Sequence, residues 1–159
     1  NLQGAPRILL EPGRLFSGNS GILLSRILYR KKQGPKEFLV LDAGMNDLMR
    51  PALYEAYHEI LPVGMPPRGR KIPMEVVGPV CESTDAFASR RPLPNSLKSG
   101  DCVALLSAGA YGASLSNSYN TRARPAEVLV HKGGYRLIRR RDRLEELWAA
   151  EEDLSRGTL

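Results

Sequence analysis

The chain has 159 residues, a length that suits one domain with a sizeable buried core. It is 42% hydrophobic and 25% charged, as ordinary globular proteins are, and no apolar run approaches the roughly 20 residues of a membrane span. The net charge of +6 invites a nucleic-acid reading, yet only 6% of residues are aromatic and no aromatic stripe runs through the basic clusters, so neither nucleic acid nor membrane is an expected partner.

In chain order, Ile8-Leu9-Leu10 reads as a strand that ends in the turn Glu11-Pro12-Gly13-Arg14. Gly13 lets the backbone approach a ligand closely, exposed N–H groups in such a turn suit a phosphate, and Arg14 offers a two-pronged fork. Four residues of this kind are by themselves an ordinary Pro-Gly turn with a surface arginine. The apolar runs Ile22 to Tyr29 and Phe38 to Leu41 flank a polar Lys-Lys-Gln-Gly-Pro-Lys stretch and predict a β-hairpin with a longer loop. Pro51 suits a first helical position, which predicts a helix through Ala52, Leu53, Tyr54, Glu55, Ala56 and Tyr57. Arg50 and Tyr54 are four apart, so a guanidinium and a phenol stack on one face and could share one anion. Such pairs also pack on surfaces without any ligand.

Residues 64–72 and 90–100 read as Pro/Gly/basic loops. Between them, Glu75 to Val80 predicts a strand that delivers Cys81-Glu82-Ser83-Thr84-Asp85 at its end. A thiol can deliver a proton and a neighbouring carboxylate can grip an ammonium group; locally, a packed cysteine beside a solvated glutamate is the plainer reading. Asp101 to Leu106 predicts a further strand, in which Cys102 is packing. Two cysteines do not make a disulfide framework, which favours a reducing cytoplasm. Tyr111, in Gly109-Ala110-Tyr111-Gly112-Ala113, is a large ring among small residues that could lie against a flat cofactor or merely fill a loop. Glu127 to His131 and Tyr135 to Arg139 predict a hairpin closed by Lys132-Gly133-Gly134, whose glycines supply positive φ. Asp142 and Glu145 form a D-x-x-E pair that predicts a helix over Arg143 to Glu152, with Trp148 anchoring it. The basic clusters, Arg136, Arg139, Arg140, Arg141 and Arg143 with Arg68, Arg70 and Lys71, read as solvated faces. The expected fold class is mainly β, an antiparallel barrel or sandwich with a few short helices.

Five of these stretches, in this order, make the chain resemble the C-terminal part of bacterial diaminopimelate decarboxylases, enzymes built from an alanine-racemase-like barrel plus a β-domain. They are Glu11-Pro12-Gly13-Arg14; Gly18-Asn19-Ser20-Gly21; Asp42-Ala43-Gly44-Met45-Asn46-Asp47 leading to Arg50-Pro51-Ala52-Leu53-Tyr54; Gly78-Pro79-Val80-Cys81-Glu82-Ser83-Thr84-Asp85; and Gly109-Ala110-Tyr111-Gly112. The similarity runs from about Ile8 to Glu151. The resemblance implies a pyridoxal 5'-phosphate cofactor, no metal, and conversion of meso-diaminopimelate to L-lysine and carbon dioxide. It implies that Glu11, Gly13, Arg14 and Tyr111 line the cofactor, and that Arg14, Arg50 and Tyr54 bind the distal carboxylate. By the same resemblance Glu82 would take the distal ammonium, Tyr111 would also touch substrate, and Cys81 would be the proton donor. It further implies a homodimer with shared active sites, Cys81 and Glu82 reaching into the partner's site.

The domain division expected from the resemblance is 1–21 as the end of the (β/α) barrel and its connection, and 22–159 as the C-terminal β-domain. None of Lys31, Lys32, Lys36, Lys71, Lys98 and Lys132 stands in the context of the family's cofactor-holding lysine. The barrel that carries it is therefore missing from this stretch, and the chain alone is expected to be inactive. Two other readings stand beside this one: a decarboxylase for another basic amino acid or polyamine precursor, and a non-catalytic β-domain that pairs with decarboxylase subunits and regulates them.

Overall fold

The structure is a computed structural model that describes residues 7–64 and 69–151. Its main body is a curled sheet of six strands: β1 (Leu23–Gln33), β2 (Lys36–Leu41), β3 (Ile60–Pro62), β4 (Lys71–Val77), β5 (Ala86–Pro94) and β6 (Cys102–Leu105). Their spatial order is β3-β6-β1-β2-β4-β5, and a separate ribbon pairs β7 (Glu127–His131) with β8 (Gly134–Arg139). The mainly-β expectation holds, with one departure from an all-antiparallel sheet: β2 and β4 run parallel, with Phe38 opposite Glu75 and Val40 opposite Val77. A parallel pair needs a long crossover, and here it is the stretch that carries the short helix α2 (Arg50–Tyr54) and β3.

Alternation explains which face each strand buries. Met74 and Val76 on β4, and Phe87 and Arg91 on β5, are buried between more exposed neighbours, while Leu93 and Pro94 are buried together at the end of β5. Leu39, Val40 and Leu41 on the central β2 are all buried, as a strand covered on both sides requires. Leu39 and Leu41 join Ile27, Ile60, Val103 and Leu105 in one core, each aliphatic side chain contributing about 1.5–3 kcal/mol by its burial.

Several expected boundaries shift. The first hairpin has longer strands and a tighter turn than predicted, because Lys31 and Lys32 continue β1 opposite Phe38 and Glu37, leaving only Gly34 (φ 56°) and Pro35 to turn. Residues 90–94 and 71–72 belong to strands, not loops. The prolines that suggested a loop sit where no hydrogen bond is lost: Pro92 faces Pro73, and β5 is a sheet edge. Ile8-Leu9-Leu10 forms no strand and lies about 80% exposed, since no described neighbour offers it a ladder. The helix at Pro51 is only five residues long and stops where Glu55 turns left-handed (φ 53°).

At the turn between β7 and β8, Lys132 (φ 48°) and Gly133 (φ 77°) take the positive φ angles, not Gly134. The expected C-terminal helix is a 3-10 turn over Leu144–Leu147. Its capping box joins Arg143 to Glu146, because Asp142 is already engaged by Arg124 at 2.5 Å. Trp148 follows it, half-exposed; Glu152 and Arg68 lie outside the described residues. The basic run is a solvated face laced by ion pairs, Arg139 with Glu127 and Arg140 with Glu146.

Candidate functional site

Three separate stretches meet at the end of β6. The turn Glu11–Arg14 opens a single helical turn, α1 (Arg14–Ser17), followed by a 3-10 turn over Gly18–Ser20. This corner docks onto the loop after β6 first through its backbone. The Ala108 N–H donates to the Gly21 carbonyl at 2.9 Å, and the Gly109 N–H to that of Gly18 at 3.0 Å. Ser107 Oγ adds a bond to Asn19 Oδ1 at 2.8 Å. The chains approach so closely that a Cβ on Gly109 would sit 2.1 Å from the Ser17 carbonyl oxygen, which no side chain can occupy.

The docking brings the predicted residues together. Arg14 Nη2 donates to the Ser107 carbonyl at 3.3 Å, while its Nη1 is buried without a partner. Tyr111, left-handed at φ 62° and opening α3 (Gly112–Leu115), swings its hydroxyl against Gly13; a Cβ there would lie 2.7 Å from the phenol oxygen. Gly13 itself has φ −75°, so what demands glycine is this close approach and not backbone freedom. Arg50, first residue of α2, holds its guanidinium carbon 5.5 Å from the centroid of Tyr54 and 5.9 Å from that of Tyr111. Its Nε is buried and unpartnered as well. The aromatic faces favour a cation between them without consuming its N–H groups. Arg14, Arg50, Tyr54 and Tyr111 thus form one cluster with two guanidinium N–H positions unpaired and no carboxylate bridging to them among the described residues. Glu11 is exposed and forms no hydrogen bond or ion pair among the described residues.

Cys81 and Glu82 occupy a different place. Strand β4 ends at Val77, so both lie in an exposed turn past the strand end and not directly on it. Ser83 Oγ donates to Glu82 Oε1 at 3.0 Å and the Thr84 N–H to the same oxygen at 3.4 Å, and these bonds hold the carboxyl below its usual range. The turn is stapled by Asp85, whose buried carboxylate accepts the N–H groups of Val80 and Met45, each at 2.7 Å. Glu82 lines a cleft of about 370 Å³ with Met45, Met49, Thr84, Asn117 and Tyr119. Among the described residues, no hydrogen bond, ion pair or ring contact joins Cys81 or Glu82 to Arg14, Arg50, Tyr54 or Tyr111. Nor do three His, Cys, Asp or Glu side chains gather as a metal would need.

Two residues of the site had no signal in the sequence. His58 is 1% exposed and gives its Nδ1 to the Leu106 carbonyl at 2.8 Å. Arg122 donates from Nε to Asn46 Oδ1 at 3.0 Å and from Nη2 to the Asp42 carbonyl at 2.6 Å, clamping the 42–48 loop. A histidine next to a helix and an arginine in a loop are indistinguishable from surface residues until the chain is folded.

Residues 17–109 match the model of the pyridoxal-dependent decarboxylases, in their C-terminal sheet domain. The chain belongs to that family. It is 50% identical to diaminopimelate decarboxylase of Haemophilus influenzae over 147 residues, covering 92% of this chain and 35% of that protein. Among solved structures it is similar to AQ1208 from Aquifex aeolicus, with a TM-score of 0.86 at 44% identity, covering 90% of this chain and 35% of that one. It is likewise similar to diaminopimelate decarboxylase from Helicobacter pylori complexed with L-lysine, with a TM-score of 0.82 at 43% identity over 90% and 34% of the two chains. The chain therefore spans about a third of the length of the relatives it matches.

Proposed function

We propose that this chain is the C-terminal part of a pyridoxal-phosphate-dependent diaminopimelate decarboxylase, which converts meso-diaminopimelate to L-lysine and carbon dioxide. The observation that carries the reading is the cluster of Arg14, Arg50, Tyr54 and Tyr111, with its two unpaired, buried guanidinium N–H positions. A substrate bearing an amino-acid group at each end needs cations for the carboxylate it keeps. A diamine-forming enzyme has no such carboxylate, and the Arg50–Tyr54 pair would be idle in it.

The residues present fit one end of the cofactor: Arg14 has a free N–H, and Gly13 leaves room that a Cβ would fill beside the Tyr111 hydroxyl. When bound, pyridoxal phosphate supplies an electron sink for negative charge at the α-carbon. The chain's own residues do the rest. Glu11, Gly13, Arg14 and Tyr111 line the cofactor, Arg14, Arg50 and Tyr54 hold the distal carboxylate, Tyr111 also touches substrate, and Glu82 receives the distal ammonium. The Cys81 thiol hands its proton to the carbon that has lost carbon dioxide.

Within one chain, Cys81 and Glu82 make no described contact with the arginine cluster. That separation supports a homodimer in which each protomer lends these two residues to its partner's site, giving two equivalent shared sites. Residues 1–21 would end a preceding barrel and 22–159 form the β-domain, with the cofactor-holding lysine on the barrel. Two free cysteines suit a cytoplasmic enzyme.

The test is to assay the complete polypeptide, supplied with pyridoxal phosphate, on meso-diaminopimelate, ornithine and arginine. Lysine and carbon dioxide from the first alone are expected, and none from the 159-residue chain by itself. Preference for ornithine or arginine would transfer the chain to another decarboxylase activity.

A further inference from the structure

The His58 ring feels the positive charges of Arg14 and Arg50, although nothing in its sequence position announces it. It lies between α2 and β3, and its ring is fully buried. A carbonyl oxygen only accepts, so the 2.8 Å contact with Leu106 places the ring proton on Nδ1. In the neutral ring, Nε2 is then a bare lone pair, and it is buried with no partner. The next carbonyl along the chain, that of Ser107, accepts from Arg14 Nη2. Ser107 is left-handed at φ 58°, which breaks the alternation of successive carbonyls that an extended strand would impose. Two consecutive carbonyls thus hold the imidazole and the guanidinium.

Three buried polar atoms of this neighbourhood are unsatisfied: His58 Nε2, Arg14 Nη1 and Arg50 Nε. One is an acceptor and two belong to donors. We propose that His58 is a positioning residue whose neutral Nε2 accepts a hydrogen bond from the Arg14 guanidinium in the ligand-bound protein, fixing the plane in which that arginine meets the substrate carboxylate. Burial and the positive charges of Arg14 and Arg50 all push the imidazole toward its neutral form, which is the form that has a lone pair to offer. An imidazolium here would repel the arginines it faces. His58 touches no reacting atom and acts only through Arg14.

This inference rests on the proposed decarboxylase reading. In the complete enzyme, His58→Leu keeps the volume without the acceptor, and His58→Gln keeps an uncharged acceptor at a similar reach. For His58→Leu, KM for meso-diaminopimelate and the dissociation constant for L-lysine rise roughly tenfold, with kcat within about threefold of the parent. For His58→Gln, both constants return to within about threefold of the parent. A normal KM in His58→Leu overturns the proposal, as does a folded His58→Gln that binds lysine no better than His58→Leu.

Nitrogen NMR of the unsubstituted protein gives a readout independent of turnover and of either variant's folding. The proposal requires the His58 ring neutral at about pH 6.5, with its proton on Nδ1, and an imidazolium there overturns it. If the parent enzyme ignores meso-diaminopimelate, the decarboxylase reading fails on that assay alone, while the NMR result still judges His58.

Discussion

Gly21 and Gly109 meet backbone to backbone: a Cβ on Gly21 would lie 2.7 Å from the Gly109 Cα, and one on Gly109 would lie 2.7 Å from the Gly21 nitrogen. Through this contact the N-terminal corner that carries Arg14 is seated on the loop that carries Tyr111. Neither glycine needs a positive φ, so the requirement is for space. Gly109→Ala forces the two segments apart. A loss of about 1–3 kcal/mol is expected from such overpacking. Thermal or denaturant unfolding of the complete protein would measure it, and a weaker grip on L-lysine should accompany it, because Arg14 moves with the corner.

Asp85 holds the Cys81–Glu82 turn from beneath. Its two oxygens accept the Val80 and Met45 N–H groups, and Gly78 packs on the carboxylate so tightly that a Cβ would be 2.3 Å from it. Asp85→Ala strands two N–H groups, at about 1–3 kcal/mol each. Turnover should fall by more than stability alone explains, since the turn presenting Cys81 loses its staple. Hydrogen exchange at Val80 and Met45 would report the released amides; unchanged protection there would refute the staple.

Cys81 is exposed, and Cys102 is half buried in β6. An alkylating reagent should therefore modify Cys81 first in the isolated chain. In the complete enzyme, Cys81→Ala should leave cofactor binding intact and reduce kcat by roughly 10²–10⁴-fold, the usual contribution of a general acid. A rate equal to the parent's would remove the thiol from the reaction.

His58 also makes stability depend on pH. Its folded-state pKa is lowered from 6.5, chiefly by burial, so the fold prefers the neutral ring. The stabilisation is complete above about pH 6.5 and is lost as pH falls through the lower folded-state value. Unfolding free energy measured from neutral to mildly acidic pH should therefore decline, and His58→Gln should flatten the decline over that window. An identical slope in the variant would assign it to other groups.

Much of the architecture was legible because local patterns carry it. Short apolar segments placed β4, β6, β7 and β8 within a few residues, and the glycines at 34 and 133 marked the β1–β2 and β7–β8 turns. The failures share one cause. Pro92 and Pro94 argue against a strand until it is known that β5 lies at an edge, and Ile8 to Leu10 argue for one until it is known that no described neighbour pairs with them. Propensity is a property of the segment, whereas a ladder is a property of the neighbour. The D-x-x-E signal at Asp142 failed likewise, because Arg124, 18 residues earlier, had taken the carboxylate.

By itself the sequence determined the inventory of the site: which residues carry charge, thiol and ring, and the Arg50–Tyr54 spacing that one helical turn brings into contact. Only the tertiary structure decided how that inventory is divided. It gathered Arg14, Arg50, Tyr54 and Tyr111 around unpaired N–H groups, buried His58 within reach of their charge, and left Cys81 and Glu82 apart on their own stapled turn. The reason is physical. Spacing along a chain sets distances within one element, but the meeting of residues 14, 50, 58 and 111 depends on backbone contacts such as Gly21 on Gly109, which no local pattern encodes.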